Sequence, residues 1–160
     1  MRKHNAVLLG ALMLTMGAIS APANSVEMIY GGFSKHIGVH EYDYEGETHK
    51  LNEVNPAIGI ETEDGYGIAV MKNSYYKTSV LISKGWTTPI ESWGDKWALG
   101  ARIGAVTGYK DTPIGWAVLP FAQGELQYKV TDRVTMVLGY IPPVQDDYLG
   151  VFTLHGKIRF

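Results

Sequence analysis

The chain has 160 residues, no cysteine and a formal net charge of −2 at pH 7. This length is enough for one domain, and the acidic balance disfavours a nucleic-acid-binding surface, which is normally basic. The lack of cysteine excludes a disulfide scaffold and a lipoprotein. After residue 23, no uninterrupted stretch of about 18 apolar residues offers a membrane-spanning helix.

The beginning of the chain has the three parts of a secretory signal peptide. A basic start is followed by an apolar stretch over residues 6–19 and by an A-x-A cleavage site at Ala21-Pro22-Ala23. The apolar stretch is too short for a comfortable membrane span. We therefore predict that residues 1–23 are a signal peptide and that residues 24–160 form the exported domain.

The exported part alternates apolar and polar residues in short segments that are separated by turn-forming residues. The segment 40–51 is acidic and too irregular for a strand, so we predict a loop there. The segment 87–96 is longer than the short turn expected at its place in the chain. Eight segments have the pattern of a β-strand: residues 26–37, 57–62, 66–74, 78–86, 97–107, 116–128, 134–140 and 149–160.

The last strand has two clearly different faces. One face is apolar: Gly150, Phe152, Leu154, Gly156, Ile158 and Phe160. The other face is more polar and includes Thr153, His155, Lys157 and Arg159. An outer-membrane barrel requires this pattern, because its outer wall meets lipid and its lumen is polar. The final phenylalanine also resembles the usual end of bacterial outer-membrane barrels.

Eight strands of this length, each able to cross a bilayer when tilted, predict one closed domain. We expect residues 24–160 to form an all-β, eight-stranded antiparallel up-and-down barrel, monomeric, in the bacterial outer membrane. Arg102, Glu125, Lys157 and Arg159 fall on inward positions, where opposite charges should pair because an unpaired buried charge is costly. The turns at 63–65 and 130–133 would be periplasmic. The loops at 40–51, 73–77, 108–115 and 141–148 would face outward.

This topology brings the ends of the first and third predicted strands to the same outer rim. Ser34 and His36 end one strand, and Asn73 and Ser74 end the other. A histidine beside a serine is the minimum for an activated hydroxyl or a general base. A neutral asparagine could orient the imidazole. Ordinary polarity of a barrel rim is the alternative explanation of the same residues.

The order of motifs over residues 52–160 resembles the lipid A palmitoyltransferase family, PagP. Members of that family are eight-stranded outer-membrane barrels that move a palmitoyl chain from a phospholipid to lipid A. The matching features are Asn52-Glu53 before Pro56, the segments MKNSYYK at 71–77 and PIGWAVLPFAQGELQY at 113–128, Gly85-Trp86, Tyr140-Ile141-Pro142 and the aromatic end.

The resemblance implies an acyltransferase that acts on lipid A or phospholipid. Ser74 would take the place of the catalytic serine and His36 that of the catalytic histidine, with His40 as a competitor for the second role. Gly85 would lie at the floor of the acyl pocket, where the family's glycine sets chain length. Asn73 stands where the family has aspartate, which removes a charge, and the family's N-terminal amphipathic helix has no room in this chain.

Two other readings remain open at this stage. One is a non-enzymatic small outer-membrane barrel that binds a partner at its surface or modifies the envelope. The other is a soluble periplasmic barrel of lipocalin type. Under the leading reading, the partners are lipopolysaccharide and phospholipid.

We expect no metal and no cofactor. His36 and His40 would lie more than about 10 Å apart on a strand, which is too far for shared zinc binding. Asp43, Glu45 and Glu47 could attract Ca²⁺ or Mg²⁺, but their pattern is more typical of a solvated acidic loop.

Overall fold

The computed structural model describes residues 25–143 and 150–160. The predicted signal peptide, residues 1–23, and most of the predicted outer loop 141–148 lie outside this described part. No helix within the described residues is long and apolar enough to cross a membrane.

Ten strands and one short 3-10 helix make up the described fold. They are β1 (Val26–Ile37), β2 (Glu41–Tyr44), β3 (Glu47–Lys50), β4 (Val54–Thr62), β5 (Tyr66–Lys72), β6 (Thr78–Pro89), the 3-10 helix Glu91–Trp93, β7 (Trp97–Thr107), β8 (Val118–Lys129), β9 (Val134–Ile141) and β10 (Gly150–Arg159).

Eight of these strands form a closed barrel in the order β1-β10-β9-β8-β7-β6-β5-β4, and every neighbouring pair is antiparallel. Closure comes from β10, which pairs with β1 from Glu27↔Arg159 to Ile37↔Gly150. The predicted eight-stranded antiparallel barrel is therefore confirmed. We call the end that carries β2 and β3 the outer end, and the opposite end, where β10 finishes, the inner end.

The prediction of a loop over residues 40–51 is wrong, because β2 and β3 form a hairpin there. Glu45 and Gly46 make its two-residue turn, with φ of 54° and 83°. Two positive φ values suit the right-handed twist of a hairpin, and glycine at the second position makes them accessible. Across the strands Tyr42 stacks on His49 with ring centroids 5.4 Å apart. Contact between rings on the two strands thus stabilises a hairpin that the acidic composition did not predict.

The long inner connection folds back onto the barrel instead of forming an open loop. Strand β6 continues to Pro89, and the 3-10 helix follows it. Trp93 packs edge-on against Trp97 with centroids 6.0 Å apart, and Trp97 lies 4.7 Å from Tyr128. The backbone N–H of Ile90 donates to the carbonyl of Trp97. These contacts account for the length of the segment 87–96.

A β-bulge in β1 changes which residues face the lumen. The register shifts between Gly31 and Phe33, and Gly31 and Gly32 have φ of 75° and 154°. Below the bulge the odd-numbered Ile29 is buried inside the barrel, whereas above it the even-numbered His36 is buried. Phe33, which the simple alternation places beside Ile29, instead lies on the outer wall. The extra residue reverses the alternation, as a bulge does.

Charged side chains fill the inner half of the lumen. Arg102 contacts one oxygen of Glu61 and one of Glu125, each at 2.6 Å, and Lys157 contacts Glu61 at 2.5 Å. All four residues are buried, and we call them the lumen charge network. The prediction that Arg102, Glu125 and Lys157 point inward and pair is confirmed. Arg159 lies at the inner rim, where its half-exposed side chain contacts Glu27 at 3.0 Å.

Candidate functional site

The outer half of the lumen holds a cavity of about 240 Å³ above the lumen charge network. Arg102 of the network lines it from the inner side together with Gln123, whose amide donates to Glu125, and Tyr75 and Tyr109 line it from the outer loops. Its walls are mainly small or aliphatic side chains, among them Ile29, Ala57, Ala69, Leu81, Val106 and Leu119. The lumen is therefore packed with charge at the inner end and hollow and apolar at the outer end.

His36 is a buried histidine that lines this cavity and can act as a base. The end of β1 places it among the lining residues with only 4% of its surface exposed. Its Nδ1 atom is buried and has no hydrogen-bond partner among the described residues. An unsatisfied buried polar atom is uncommon and calls for an explanation. Within the described part of the chain, Nδ1 is thus available to accept a hydrogen bond or a proton.

Ser74 lines the same cavity from the turn after β5. Its position is fixed by the backbone, because the Ser74 carbonyl accepts a 2.7 Å hydrogen bond from the N–H of Asn52. The strand order thus brings Ser74 and His36 to one cavity, although they lie on β1 and after β5 with β4 between them. Ser34, the other serine predicted at this rim, also lines the cavity, and its hydroxyl donates to Asn55 at 2.6 Å.

Asn73 is completely buried and uses its side chain to build the turn. Its oxygen accepts from the N–H groups of Tyr75 and Lys77, at 2.9 and 3.0 Å. Its amide nitrogen donates to the Ser79 hydroxyl at 3.1 Å and to the Gly108 carbonyl at 3.0 Å. Both N–H bonds of the amide are used in this way. Asn73 therefore holds the loop that carries Ser74, and His36 is not among its partners.

The other two predicted site residues lie away from the cavity wall. His40 is exposed after the end of β1. Gly85 is buried beneath Arg102, so closely that a Cβ atom there would lie 3.0 Å from a guanidinium nitrogen. The guanidinium of Arg102 therefore separates Gly85 from the cavity and forms part of the cavity floor. Among the described residues, no group of three or more histidine, cysteine, aspartate or glutamate side chains could hold a metal ion.

Two tyrosines complete the outer end of the cavity, and sequence reasoning missed both. Tyr75 is buried and packs edge-on against Tyr109, with centroids 5.9 Å apart, and against Tyr42 of the hairpin at 4.7 Å. Burial raises the pKa of Tyr109 to about 12, so its phenol stays protonated at neutral pH. Tyrosines in loops carry no periodic signal. Only the spacing of Tyr75 directly after Ser74 points toward the site.

One side of the wall is incompletely paired near the cavity. Strand β8 pairs with β7 along its whole length, but with β9 only from Gly124↔Tyr140 inward, among the described residues. The outer part of β8 contains Pro120, and β9 is followed by Pro142 and Pro143. All three prolines line the cavity. Because proline has no N–H to donate, it favours the edge of a ladder over its interior.

The outer wall of the barrel is apolar on every side. Aliphatic and aromatic side chains point away from the lumen at positions that alternate with the inward ones: Phe33, Val54, Ile68, Val70, Val80, Ile82, Leu99, Ile103, Val118, Leu138, Phe152 and Leu154. Larger aromatics lie near the strand ends: Tyr66, Trp86, Trp93 and Trp116. An apolar wall with aromatic edges around a polar interior is the arrangement of transmembrane barrels.

Comparisons with known proteins agree on the fold. No protein-family model matches the chain, and no curated protein matches its sequence. A de novo designed transmembrane β-barrel aligns with a TM-score of 0.55 at 9% identity, covering 88% of this chain and 98% of the design. A second designed transmembrane barrel, solved by NMR in solution, aligns with a TM-score of 0.53 at 12% identity, covering 86% and 95%.

A natural barrel also aligns with this chain. It is Ail, the attachment invasion locus protein of Yersinia pestis, in a crystal structure with the heparin analogue sucrose octasulfate. The identity is 16%, the coverage is 86% of this chain and 97% of Ail, and the TM-score is 0.36. That score is too low for conclusions about this chain. The designed barrels suffice to define its class, a closed eight-stranded antiparallel barrel of the outer-membrane type.

Proposed function

We propose that this protein is a bacterial outer-membrane acyltransferase of PagP type, which takes a lipid acyl chain into its outer cavity and transfers it. One observation carries the proposal. His36, a buried base whose Nδ1 has no partner among the described residues, lines the same apolar cavity as the hydroxyl of Ser74. Lipid A or phospholipid would supply the chain and the accepting hydroxyl.

The outer wall supports a membrane location. Monomeric soluble proteins rarely expose contiguous apolar patches larger than a few hundred Å², whereas here apolar side chains are exposed on all eight barrel strands. The same wall argues against the soluble periplasmic reading. Fractionation of expressing cells and heat-modifiable migration on a gel test this step: a folded barrel in the outer-membrane fraction is expected, and a soluble periplasmic protein would contradict it.

The size and lining of the cavity favour one flexible apolar chain. Its volume of about 240 Å³ lies just below the roughly 300–1,000 Å³ of sites for drug-sized ligands. Burying each CH₂ group there contributes about 0.8 kcal/mol. The outer part of β8 beside Pro120 has no β9 partner among the described residues, and this edge would offer a sideways route from the bilayer. A chain that enters there need not leave an apolar environment.

In this proposal, the two side chains carry out acyl transfer. With neutral His36 as general base, the imidazole takes the proton of a hydroxyl as that oxygen attacks the ester carbonyl of the donor. The carbonyl carbon forms a bond to the attacking oxygen and loses its bond to the original alcohol. The alcohol leaves with the proton from the imidazolium. Ser74 serves in one of two ways. As the first nucleophile it forms an acyl-serine ester, which the acceptor hydroxyl then attacks while His36 takes the acceptor's proton and returns it to the departing Ser74 oxygen. Otherwise it is the hydroxyl that orients the acceptor.

Mass spectrometry of lipid A and phospholipids from Gram-negative cells that express the chain tests the proposal. We expect an added acyl mass that disappears in Ser74→Ala and in His36→Ala. His40→Ala is the matched control, because His40 is exposed and outside the cavity, and it should retain the product. A product that survives in His36→Ala would overturn the assignment of the base.

A non-enzymatic barrel is the second candidate, and the state of Asn73 favours it. Where the resembling family has a carboxylate, this chain has a neutral amide whose side chain is engaged in the turn. An imidazolium at His36 would lack the stabilisation that a carboxylate partner gives. Unchanged lipids in cells with folded protein in the outer membrane would select this candidate, in which the cavity binds a chain without transferring it.

A further inference from the structure

Two outer loops are joined into one rigid rim beside the cavity. They are the turn 73–77 between β5 and β6 and the loop 108–117 between β7 and β8. The Asn73 amide donates to the Gly108 carbonyl at 3.0 Å, and the rings of Tyr75 and Tyr109 are in edge contact. Because Tyr75 and Tyr109 also line the cavity, this rim lies at the cavity's outer edge.

Three lysines belong to this rim, and we call them the rim lysines: Lys72, Lys77 and Lys110. All three are exposed. Lys72 pairs in register with Thr78, so it lies close to Lys77, and Lys110 lies two residues after the joined Gly108. Asp111 is the acidic residue next to Lys110 in this loop.

The rim lysines, like Lys50, Lys96 and Lys129, make no ion pair within the described part of the chain, whereas Lys35 and Lys157 do. Among the described residues, no ion pair or side-chain hydrogen bond involves the ammonium groups of Lys72, Lys77 and Lys110. By contrast, Lys35 contacts Glu53 at 2.9 Å, and Lys157 contacts Glu61 at 2.5 Å. Three exposed ammonium groups thus lie on this part of the outer rim, with the carboxylate of Asp111 next to Lys110.

The rim lies where the apolar outer wall of the barrel ends, which is the level expected for lipid headgroups. Lys72 follows Val70 on the outward face of β5, at the point where the apolar wall ends. A lysine there can keep its stem along apolar surface and its ammonium in water. A lipid whose chain occupies the cavity would have its headgroup beside Lys77 and Lys110.

We propose that the rim lysines bind the phosphate of a lipid headgroup whose acyl chain lies in the cavity. The inference rests on chain binding, one part of the function proposed above, but it does not require acyl transfer. Ammonium groups act as point charges toward phosphate. Each lysine near an anionic lipid surface contributes about 1 kcal/mol, or roughly fivefold in affinity.

Equilibrium binding to the full barrel in neutral maltoside micelles tests the inference. The probes are dioctanoyl phosphatidic acid and dioctanoylglycerol, which share their chains and differ by the phosphate, together with inorganic phosphate. At low salt we expect phosphatidic acid to bind more than tenfold more tightly than either other probe. Its advantage should shrink as salt is added, since exposed charges are screened.

Paired variants locate the charge. Lys77→Gln/Lys110→Gln should weaken phosphatidic acid binding by roughly 25-fold, from about fivefold per lysine, and leave dioctanoylglycerol binding unchanged. Lys96→Gln/Lys129→Gln is the matched control, because both lysines are exposed at the inner end. It should stay within about twofold of the parent protein when both double variants are compared at about 0.1 M salt, because charges are screened over about 10 Å there and the inner end lies further from the rim.

Each contrary result has a separate meaning. Equal binding of the two lipids would overturn the phosphate site and leave chain binding intact. Equal loss in the inner-end control would show a general charge effect and overturn the assignment to this rim. Inorganic phosphate that binds as tightly as phosphatidic acid would show a free-anion site instead. No binding of either lipid would overturn the chain site and, with it, this inference.

Discussion

The inner and outer halves of the lumen are filled in opposite ways. At the inner end, four charged side chains neutralise one another at distances of 2.5–2.6 Å and leave little space. At the outer end, small side chains such as Ala57 and Ala69 leave about 240 Å³ open beside His36, whose Nδ1 has no hydrogen-bond partner in the described part of the chain. An eight-stranded barrel is narrow enough for its own side chains to fill it. The open outer half therefore results from the small side chains at these positions and not from the number of strands.

Breaking the lumen charge network should have the largest effect. Arg102→Ala leaves Glu61 and Glu125 buried without their shared cation, which should lower the free energy of unfolding by about 3–5 kcal/mol. Urea titration of the barrel in lipid vesicles measures this loss. Arg159→Ala is the control, because an exposed pair contributes only about 0–1 kcal/mol. Equal losses in the two variants would contradict a special role for the inner half.

Asn73→Asp tests whether residue 73 stabilises the turn or takes part in acyl transfer. Aspartate restores the residue of the resembling family, but it cannot donate to Ser79 or Gly108 as the amide does. We expect a loss of about 1–3 kcal/mol in unfolding free energy and no gain in acyl transfer, measured by urea titration and lipid mass spectrometry. A more active variant of unchanged stability would show that residue 73 acts in the chemistry and not only in the turn.

Filling the outer cavity with a larger side chain should weaken lipid binding but leave the free energy of unfolding almost unchanged. Val106→Phe places a larger side chain among the lining residues of β7. The free energy of unfolding should change by less than about 1 kcal/mol because space is present, while dioctanoylglycerol binding should weaken at least tenfold, about 1.4 kcal/mol. Ile103→Phe lies on the same strand but on the outer wall, and it should leave binding unchanged. Weakened binding in both variants would place the lipid outside the lumen.

The smallest effect is expected at the exposed Lys35–Glu53 pair. The hydrogen bond from Lys35 lowers the pKa of Glu53. A carboxyl whose folded pKa is depressed adds stability above its unfolded pKa and loses it as the pH falls through the folded pKa. Lys35→Gln should therefore raise the pKa of Glu53, as followed by NMR titration in micelles.

The control for that titration is Lys50→Gln. It removes a positive charge from the same end of the barrel but keeps the Lys35–Glu53 hydrogen bond. An equal pKa change at Glu53 in both variants would mean that general charge, and not this hydrogen bond, sets the pKa.

The barrel could be predicted from the sequence because most of its strands meet two different environments. In β7, Arg102 faces inward between Ala101 and Ile103, which face outward. In β10, Thr153 and Lys157 face inward and Phe152 and Leu154 outward. Such alternation can be recognised without knowing distant contacts, because the polarity of each residue depends on which side of the barrel wall it faces.

The features that the sequence did not reveal depend on contacts between distant segments. The hairpin β2–β3 is held by a two-residue turn and by rings that meet across strands, and its acidic residues conceal both. The use of Asn73 depends on Gly108, which lies 35 residues further along the chain. The cavity itself arises where side chains are small on several strands at once. No local pattern encodes a volume shared by five or more strands.

The bulge at Gly31 and Gly32 has an evolutionary consequence. It adds one residue to β1, so that the odd-numbered Ile29 and the even-numbered His36 both face the lumen while Phe33 faces the wall. Deleting that one residue would restore plain alternation and leave His36 inside, because side chains alternate with a period of two and paired residues face the same side. The bulge therefore absorbs the loss or gain of a single codon without moving the interior base, while the pairing partners of the strand stay the same.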